Sequence, residues 1–221
     1  MNYYQISYPR SGSHLVRSIS RVLLGLPQCP THSKDYFLYK YVRRHYFPKA
    51  MQKNASVILL LRNPIDVLVR QNQVADADVV SRKFEEHLRP NPNQPIEENG
   101  DCGDWSYISL IRNFDMWKNK KTMFYYEDFI SNISTFVLRL ADFLSATEKF
   151  KDYCLENIDT IFKSNLKLYN AVDGDGSFTK GDLSIRHRDR LSKDNQLAIQ
   201  EYIKQYYPRE SQYLERYFNE I

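Results

Sequence analysis

An α/β fold, with a central parallel sheet flanked by helices, is what this sequence predicts, and three observations carry that expectation. Short apolar or aromatic runs alternate with stretches of helical spacing, the pattern of successive βαβ units. The run Val57-Ile58-Leu59-Leu60-Leu61 is continuously apolar, as in a strand covered on both faces. Two strand ends, Pro9–Ser13 and Arg62–Asp66, carry small or polar residues just before a helix, and ligands of such sheets bind at the carboxyl ends of strands.

The elements follow in order. Tyr3 to Tyr8 is aromatic and β-branched and predicts the first strand. Pro9 to Ser13 breaks it. From His14 to Leu24, Leu15, Ile19, Val22 and Leu23 recur at helical spacing, and Gly25, Pro27 and Pro30 close the helix. Tyr36 to Tyr46 reads as a second strand and Val57 to Leu61 as a central one. Pro64 suits the first turn of a helix running to about His87. Arg89 to Gly103 is a loop rich in Pro, Asn and Gly, long for a passive connection and of a length used for lids. A helix over Trp105–Lys118, a strand over Thr122–Tyr126, and helices over Glu127–Leu144 and Thr147–Leu166 come next. Asp173 to Gly176 is flexible punctuation, and Ser192 to Phe218 reads as two helices broken at Pro208.

The 221 residues suit one domain spanning 1–221, a size that buries about 70% of the unfolded chain's surface. With 42% hydrophobic and 26% charged residues, global disorder is excluded. The 17 Tyr, 12 Phe and 2 Trp suit either a pocket for a flat or amphipathic ligand or simply a tyrosine-rich surface. A net charge of +4 and an isoelectric point near 8.8 accommodate an anionic ligand. Basic residues are spread along the chain rather than gathered in a stripe, so nucleic acid is not the indicated partner. Cys29, Cys102 and Cys154 are odd in number and far apart, which argues against a disulfide framework or a structural zinc site. The amino terminus lacks the pattern of a signal peptide, and no apolar run is long enough to cross a membrane. A cytoplasmic protein with a small-molecule partner and no membrane contact is the expectation.

The turn Tyr8-Pro9-Arg10-Ser11-Gly12-Ser13-His14 has the makings of an anion cradle. Gly12 lets backbone approach a ligand, Ser11 and Ser13 add hydroxyls, and the following helix presents free N–H groups. Arg10 adds a guanidinium that can fork onto phosphate or sulfate oxygens. A serine–glycine turn opening a helix is also common with no ligand at all. The nucleoside-triphosphate pattern GxxxxGK[ST] does not occur in the chain. No strand ends in an obvious aspartate suited to the Mg²⁺ that a kinase would need.

Tyr8-Pro9-Arg10-Ser11-Gly12-Ser13 resembles the 5′-phosphosulfate loop of sulfotransferases that use 3′-phosphoadenosine 5′-phosphosulfate (PAPS). Arg62-Asn63-Pro64-Ile65-Asp66-Val67 resembles the same family's 3′-phosphate motif, and it follows the first in the expected order. Phe124-Tyr125-Tyr126-Glu127-Asp128 is similar to the segment whose tyrosine, here Tyr126, lies against adenine. Phe162 stands where the family stacks an aromatic on that base. Thr179-Lys180-Gly181 resembles the late loop that closes over the 3′-phosphate. The resemblance implies a P-loop-like sulfotransferase fold with PAPS as donor and adenosine 3′,5′-bisphosphate (PAP) as product. It places Arg10, Ser11, Gly12, Ser13, His14, Arg62, Arg70, Tyr126, Phe162, Lys180 and Gly181 on the cofactor. Departures are Thr179 in place of Arg, Arg70 where the family usually has Ser, Leu15 where it often has Trp, and Arg186-His187-Arg188 near the place of a Gly-Asp-Trp element.

Sulfuryl transfer to a hydroxyl or amine needs a base for the acceptor's proton, and histidine suits neutral pH. The resemblance points to Arg43-Arg44-His45, with His45 as base and Arg43 at the position of the family's lysine. His32, in Thr31-His32-Ser33, is the rival. His87 and His187 carry no assigned role, and His14 lends its backbone and ring to the first loop. The implied reaction is in-line displacement without a metal or a covalent enzyme intermediate, Arg10 and the turn N–H groups holding the developing charge. Two other classes stay open: a nucleotide kinase or other phosphoryl-transfer enzyme, and a catalytically inactive nucleotide-binding module. The acceptor, the choice of oxygen or nitrogen, and the oligomeric state are not written in the sequence.

Overall fold

A computed structural model describes residues 2–8, 11–26, 41–44, 54–72, 106–164 and 186–219, with 41–44 and 71–72 as backbone. Four strands form one parallel sheet: β1 (Tyr3–Ser7), β2 (Tyr41–Arg44), β3 (Ser56–Leu61) and β4 (Lys121–Tyr125), in the order β2-β1-β3-β4. The register pairs Ile6 with Leu59 and Leu61 with Tyr125, so the carboxyl ends of β1, β3 and β4 lie side by side.

β3 shows why the apolar run reads as central. All six of its residues are buried. Val57, Leu59 and Leu61 enter one core with Ile6 and Tyr8, while Ile58 and Leu60 enter the other with Tyr3 and Phe124. Alternation along a strand sends neighbours to opposite faces, and both faces here are covered by helices. Against the first face pack α2 (Pro64–Asn72) and α3 (Tyr107–Met116), with the carboxyl-terminal helices beside them. Against the second pack α1 (Ser13–Leu23), α4 (Tyr126–Ser131), α5 (Ile133–Leu144) and α6 (Glu148–Glu156), followed by a helical stretch α7 at 158–164.

α1 ends as its Gly predicts. Gly25 has φ 64°, its N–H reaches the Val22 carbonyl at 2.9 Å, and the Leu26 N–H reaches the Arg21 carbonyl at 2.8 Å. That is a Schellman closure, which needs the left-handed residue.

The structure corrects the reading of the later helices. The single helix expected over Glu127–Leu144 is two, parted at Asn132. Its side chain accepts from the Thr135 N–H at 3.0 Å and so starts a new helix instead of continuing the old one. Asn157 likewise parts α6 from α7 inside the helix expected over Thr147–Leu166; its N–H bonds back to the Tyr153 carbonyl at 3.1 Å. After α8 (Lys193–Tyr206), Pro208 opens not one helix but three short pieces: α9 (Pro208–Ser211), a 3-10 turn (Gln212–Leu214) and α10 (Glu215–Phe218). A further 3-10 turn, His187–Arg190, was not foreseen. The rest of the expected helix to His87 and the loop Arg89–Gly103 lie outside the described residues, and no described helix is long and apolar enough to cross a membrane.

Candidate functional site

The carboxyl edge of the sheet brings three chain segments together. After β1 the Ser11 N–H turns back to the Tyr8 carbonyl at 3.3 Å, and Gly12 takes φ 77° to begin α1. No side chain caps that helix. Gln5, inside the sheet, steadies the turn from below, donating from Nε2 to the Ser13 carbonyl at 3.0 Å. Ser11 is fully buried, and its Oγ has no hydrogen-bond partner among the described residues. A buried hydroxyl with no partner among the described residues, at a helix start that no side chain caps, is a donor that a phosphate or sulfate group would satisfy.

Gly12 is also required by its neighbour. A Cβ at this position would overlap Cδ2 and Cε2 of Tyr126, the first residue of α4. On its ring face Tyr126 carries the Arg62 guanidinium, 4.5 Å from the centroid. The ring therefore spans the two candidate phosphate-binding segments. It continues into an aromatic row: Tyr126 stacks on Phe129 at 6.2 Å, and Phe129 meets Phe162 edge-on at 5.4 Å.

The second segment is built by side chains. The Asn63 Oδ1 accepts from the N–H groups of Ile65 at 3.0 Å and Asp66 at 3.4 Å, capping α2 ahead of Pro64. Glu127 holds the Asn63 N–H through Oε1 at 3.0 Å and accepts from the Tyr217 hydroxyl through Oε2 at 2.7 Å. Burial pushes the Glu127 carboxyl above its ordinary range, opposed by those two donors and by the charge of Arg62. The Tyr107 hydroxyl donates to the Arg62 carbonyl at 2.6 Å, and its ring lies 5.7 Å from that of Tyr8. Arg62 itself is 4% exposed.

The late 3-10 turn closes on α2. The Arg188 N–H donates to Asp66 Oδ1 at 2.7 Å, and its guanidinium stands 3.8 Å from Oδ2. Burial raises the Asp66 carboxyl from its ordinary range, countered first by that N–H bond and then by the charges of Arg62 and Arg188. Gln196 fastens the turn to α8 through the carbonyls of Arg188 and Leu191, each at 3.0 Å.

Of the residues expected on the cofactor, Ser11, Gly12, Ser13, Arg62 and Tyr126 meet at this edge. His14 lies in the first turn of α1, Arg70 in the last turn of α2, and Phe162 at the end of the aromatic row. Arg43 is described as backbone only, in β2 opposite Gln5. Arg10, His45, His32, Lys180 and Gly181 lie outside the described residues. Glu127, Arg188 and Gln5 are positioning residues that sequence did not single out. His187, left without a role, sits within the field of Arg62 and Arg70.

These features define a parallel α/β protein whose carboxyl edge gathers the candidate anion-binding residues Ser11, Gly12, Ser13 and Arg62. No family model matches the chain, and no curated protein matches it by sequence. Solved structures do. It is similar to retinol dehydratase in complex with androsterone and inactive cofactor PAP, at 15% identity and a TM-score of 0.57, over 92% of this chain and 80% of that one. It is similar to mouse sulfotransferase SULT7A1 complexed with PAP, at 15% identity and a TM-score of 0.57, over 94% and 85%. A retinol dehydratase complex with retinol and PAP gives 15% and 0.56. The chain has the sulfotransferase fold.

Proposed function

We propose that the protein is a sulfotransferase that moves a sulfuryl group from PAPS to a hydroxyl or amine of a small acceptor. The observation that carries this reading is the convergence of the Ser11–Ser13 turn, Arg62 and Tyr126 at the edge of a sulfotransferase-fold sheet. The residues present fit the donor: the buried Ser11 Oγ, without a hydrogen-bond partner among the described residues, and the start of α1, which no side chain caps, match an anionic group, and Arg62 matches a second. PAPS would supply the sulfuryl group. The neighbours whose structures contain retinol or androsterone support a small hydroxyl-bearing acceptor.

The chain's own residues then divide the work. The N–H groups from Gly12 to His14, with Arg10, hold the oxygens on which charge builds, and such preorganised donors contribute roughly 3 kcal/mol each. Arg62 and Arg70, with Lys180 and Gly181 of the late loop, hold the 3′-phosphate, and Tyr126 and Phe162 border the base. His45 accepts the acceptor's proton, with His32 as the alternative, and Arg43 supports the charge nearby. His45 follows Arg44, the last residue of β2, whose carboxyl end lies at the same edge of the sheet. A cytoplasmic protein acting on small molecules completes the reading.

Calorimetric titration with PAP, beside ATP and Mg²⁺, tests it. Tight binding of PAP that Arg62→Ala weakens about a hundredfold, with ATP ignored, is the expected result. Preference for ATP with Mg²⁺ would turn the reading toward phosphoryl transfer. Assays of His45→Ala and His32→Ala then separate the two bases, since only the true base loses turnover while PAP binding persists.

A further inference from the structure

His187 opens the 3-10 turn His187–Arg190 and is 7% exposed. Its Nδ1 is buried and has no hydrogen-bond partner among the described residues. The turn that carries it cannot drift, because Arg188 is bound to Asp66 of α2 and Gln196 of α8 holds its carbonyls.

The charged groups around the imidazole are mostly cations. Arg70 of α2, Arg62 just before it and Arg190 of the same turn act on the ring. Asp66, the carboxylate on the α2 side, is engaged by Arg188; Asp189 and Arg186 flank the ring in the chain and are exposed; Gln196 on α8 is neutral. Burial, then these arginines, push the His187 proton affinity down to about 4, so the ring is neutral at pH 7. A buried histidine nitrogen with no hydrogen-bond partner among the described residues, on a turn docked against α2, leaves a polar contact that an anion could supply.

We propose that His187 is a further anion-binding residue of this site, holding the 3′-phosphate of the nucleotide together with Arg62 and Arg70 and taking up a proton from solvent as that phosphate arrives. The inference rests on the nucleotide reading above. An arriving phosphate offsets the arginine charges that keep the ring neutral and accepts a hydrogen bond from the new N–H. The sign follows from the depressed affinity. In the free protein, stability is lost as pH falls from the ordinary histidine value of 6.5 toward about 4, because the unfolded chain takes up the proton and the folded one resists it. The bound phosphate reverses that resistance, so binding strengthens with acidity.

The test titrates PAP and adenosine 5′-monophosphate, which lacks the 3′-phosphate, into the wild type and into His187→Gln at pH 7.5 and 5.5. Two buffers of different ionisation heat give the protons taken up, and the difference between the proteins cancels protonation of the ligand itself. At pH 5.5 the wild type should bind PAP about tenfold more tightly than His187→Gln and take up more protons per ligand. The monophosphate should bind both proteins alike. Equal affinity and equal proton uptake for PAP would overturn the proposal while leaving the nucleotide reading intact. A wild type that binds no PAP at either pH overturns both. Should His187→Gln not fold, imidazole ¹⁵N spectra of the wild type decide the matter: a His187 resonance unmoved by saturating PAP at pH 5.5 overturns it.

Discussion

The two helix starts at the carboxyl edge are built by opposite means. At the β1–α1 turn the shape comes from the backbone, with Gly12 at φ 77° and no side-chain cap. At the β3–α2 turn it comes from side chains: Asn63 caps the helix, Glu127 grips Asn63, and Asp66 is tied to Arg188. The first device is local in sequence and tolerates almost no substitution at one residue. The second draws on groups far apart in the chain and spreads its stability over several contacts.

The largest expected effect tests the side-chain device. Asp66→Ala removes both the acceptor of the Arg188 N–H and the counter-charge of a guanidinium whose side chain is 6% exposed. Losing that buried bond and ion contact together costs about 3 kcal/mol, to be read from urea unfolding with an unchanged slope. A loss below about 1 kcal/mol would show that solvent reaches the pair and that the two turns differ little in how their stability is built.

Gly12→Ala comes next, because the new methyl meets both an unfavourable φ and the Tyr126 ring. A loss of about 2 kcal/mol is expected. Pairing it with Tyr126→Ala should give a combined loss smaller than the sum of the two, since the collision is then counted once. Strict additivity would mean that strain in the backbone alone makes the turn intolerant. Asn63→Ala, the smallest effect, removes a cap with two N–H partners and should cost about 1 kcal/mol, because the bond from the Asn63 N–H to Glu127 survives.

The same contrast explains what the sequence made legible. The Ser11–Ser13 turn, the run into Arg62-Asn63-Pro64 and the central position of β3 could be read because each is signalled within a few residues by glycine, proline or an apolar run. Tyr126 can be read as a candidate site residue from its motif, but not its position between Gly12 and Arg62, since no local pattern records which ring fills the space a missing Cβ leaves. Glu127 and Arg188 reach across 64 and 122 positions of chain. Nothing near either residue marks that reach. The helix breaks at Asn132 and Asn157 were overlooked because apolar spacing runs on through them, whereas the asparagines' own hydrogen bonds decide where a helix stops. His187 lacked a signal for a different reason: its neighbours come from another strand end, and only the docking of its turn on α2 brings Arg62 and Arg70 to it.

The Tyr126 ring has a consequence for the order of assembly. Gly12, Arg62 and Tyr126 come from the ends of β1, β3 and β4, and their contacts close only when those three strands lie side by side. A growing chain that has not yet delivered β4 carries both candidate phosphate-binding turns but lacks the wedge that spaces them. Under the proposed reading the nucleotide site is complete only once β4, which ends at Tyr125 of the 221 residues, has joined β1 and β3, and a ligand gripped there would act as a latch on the finished sheet.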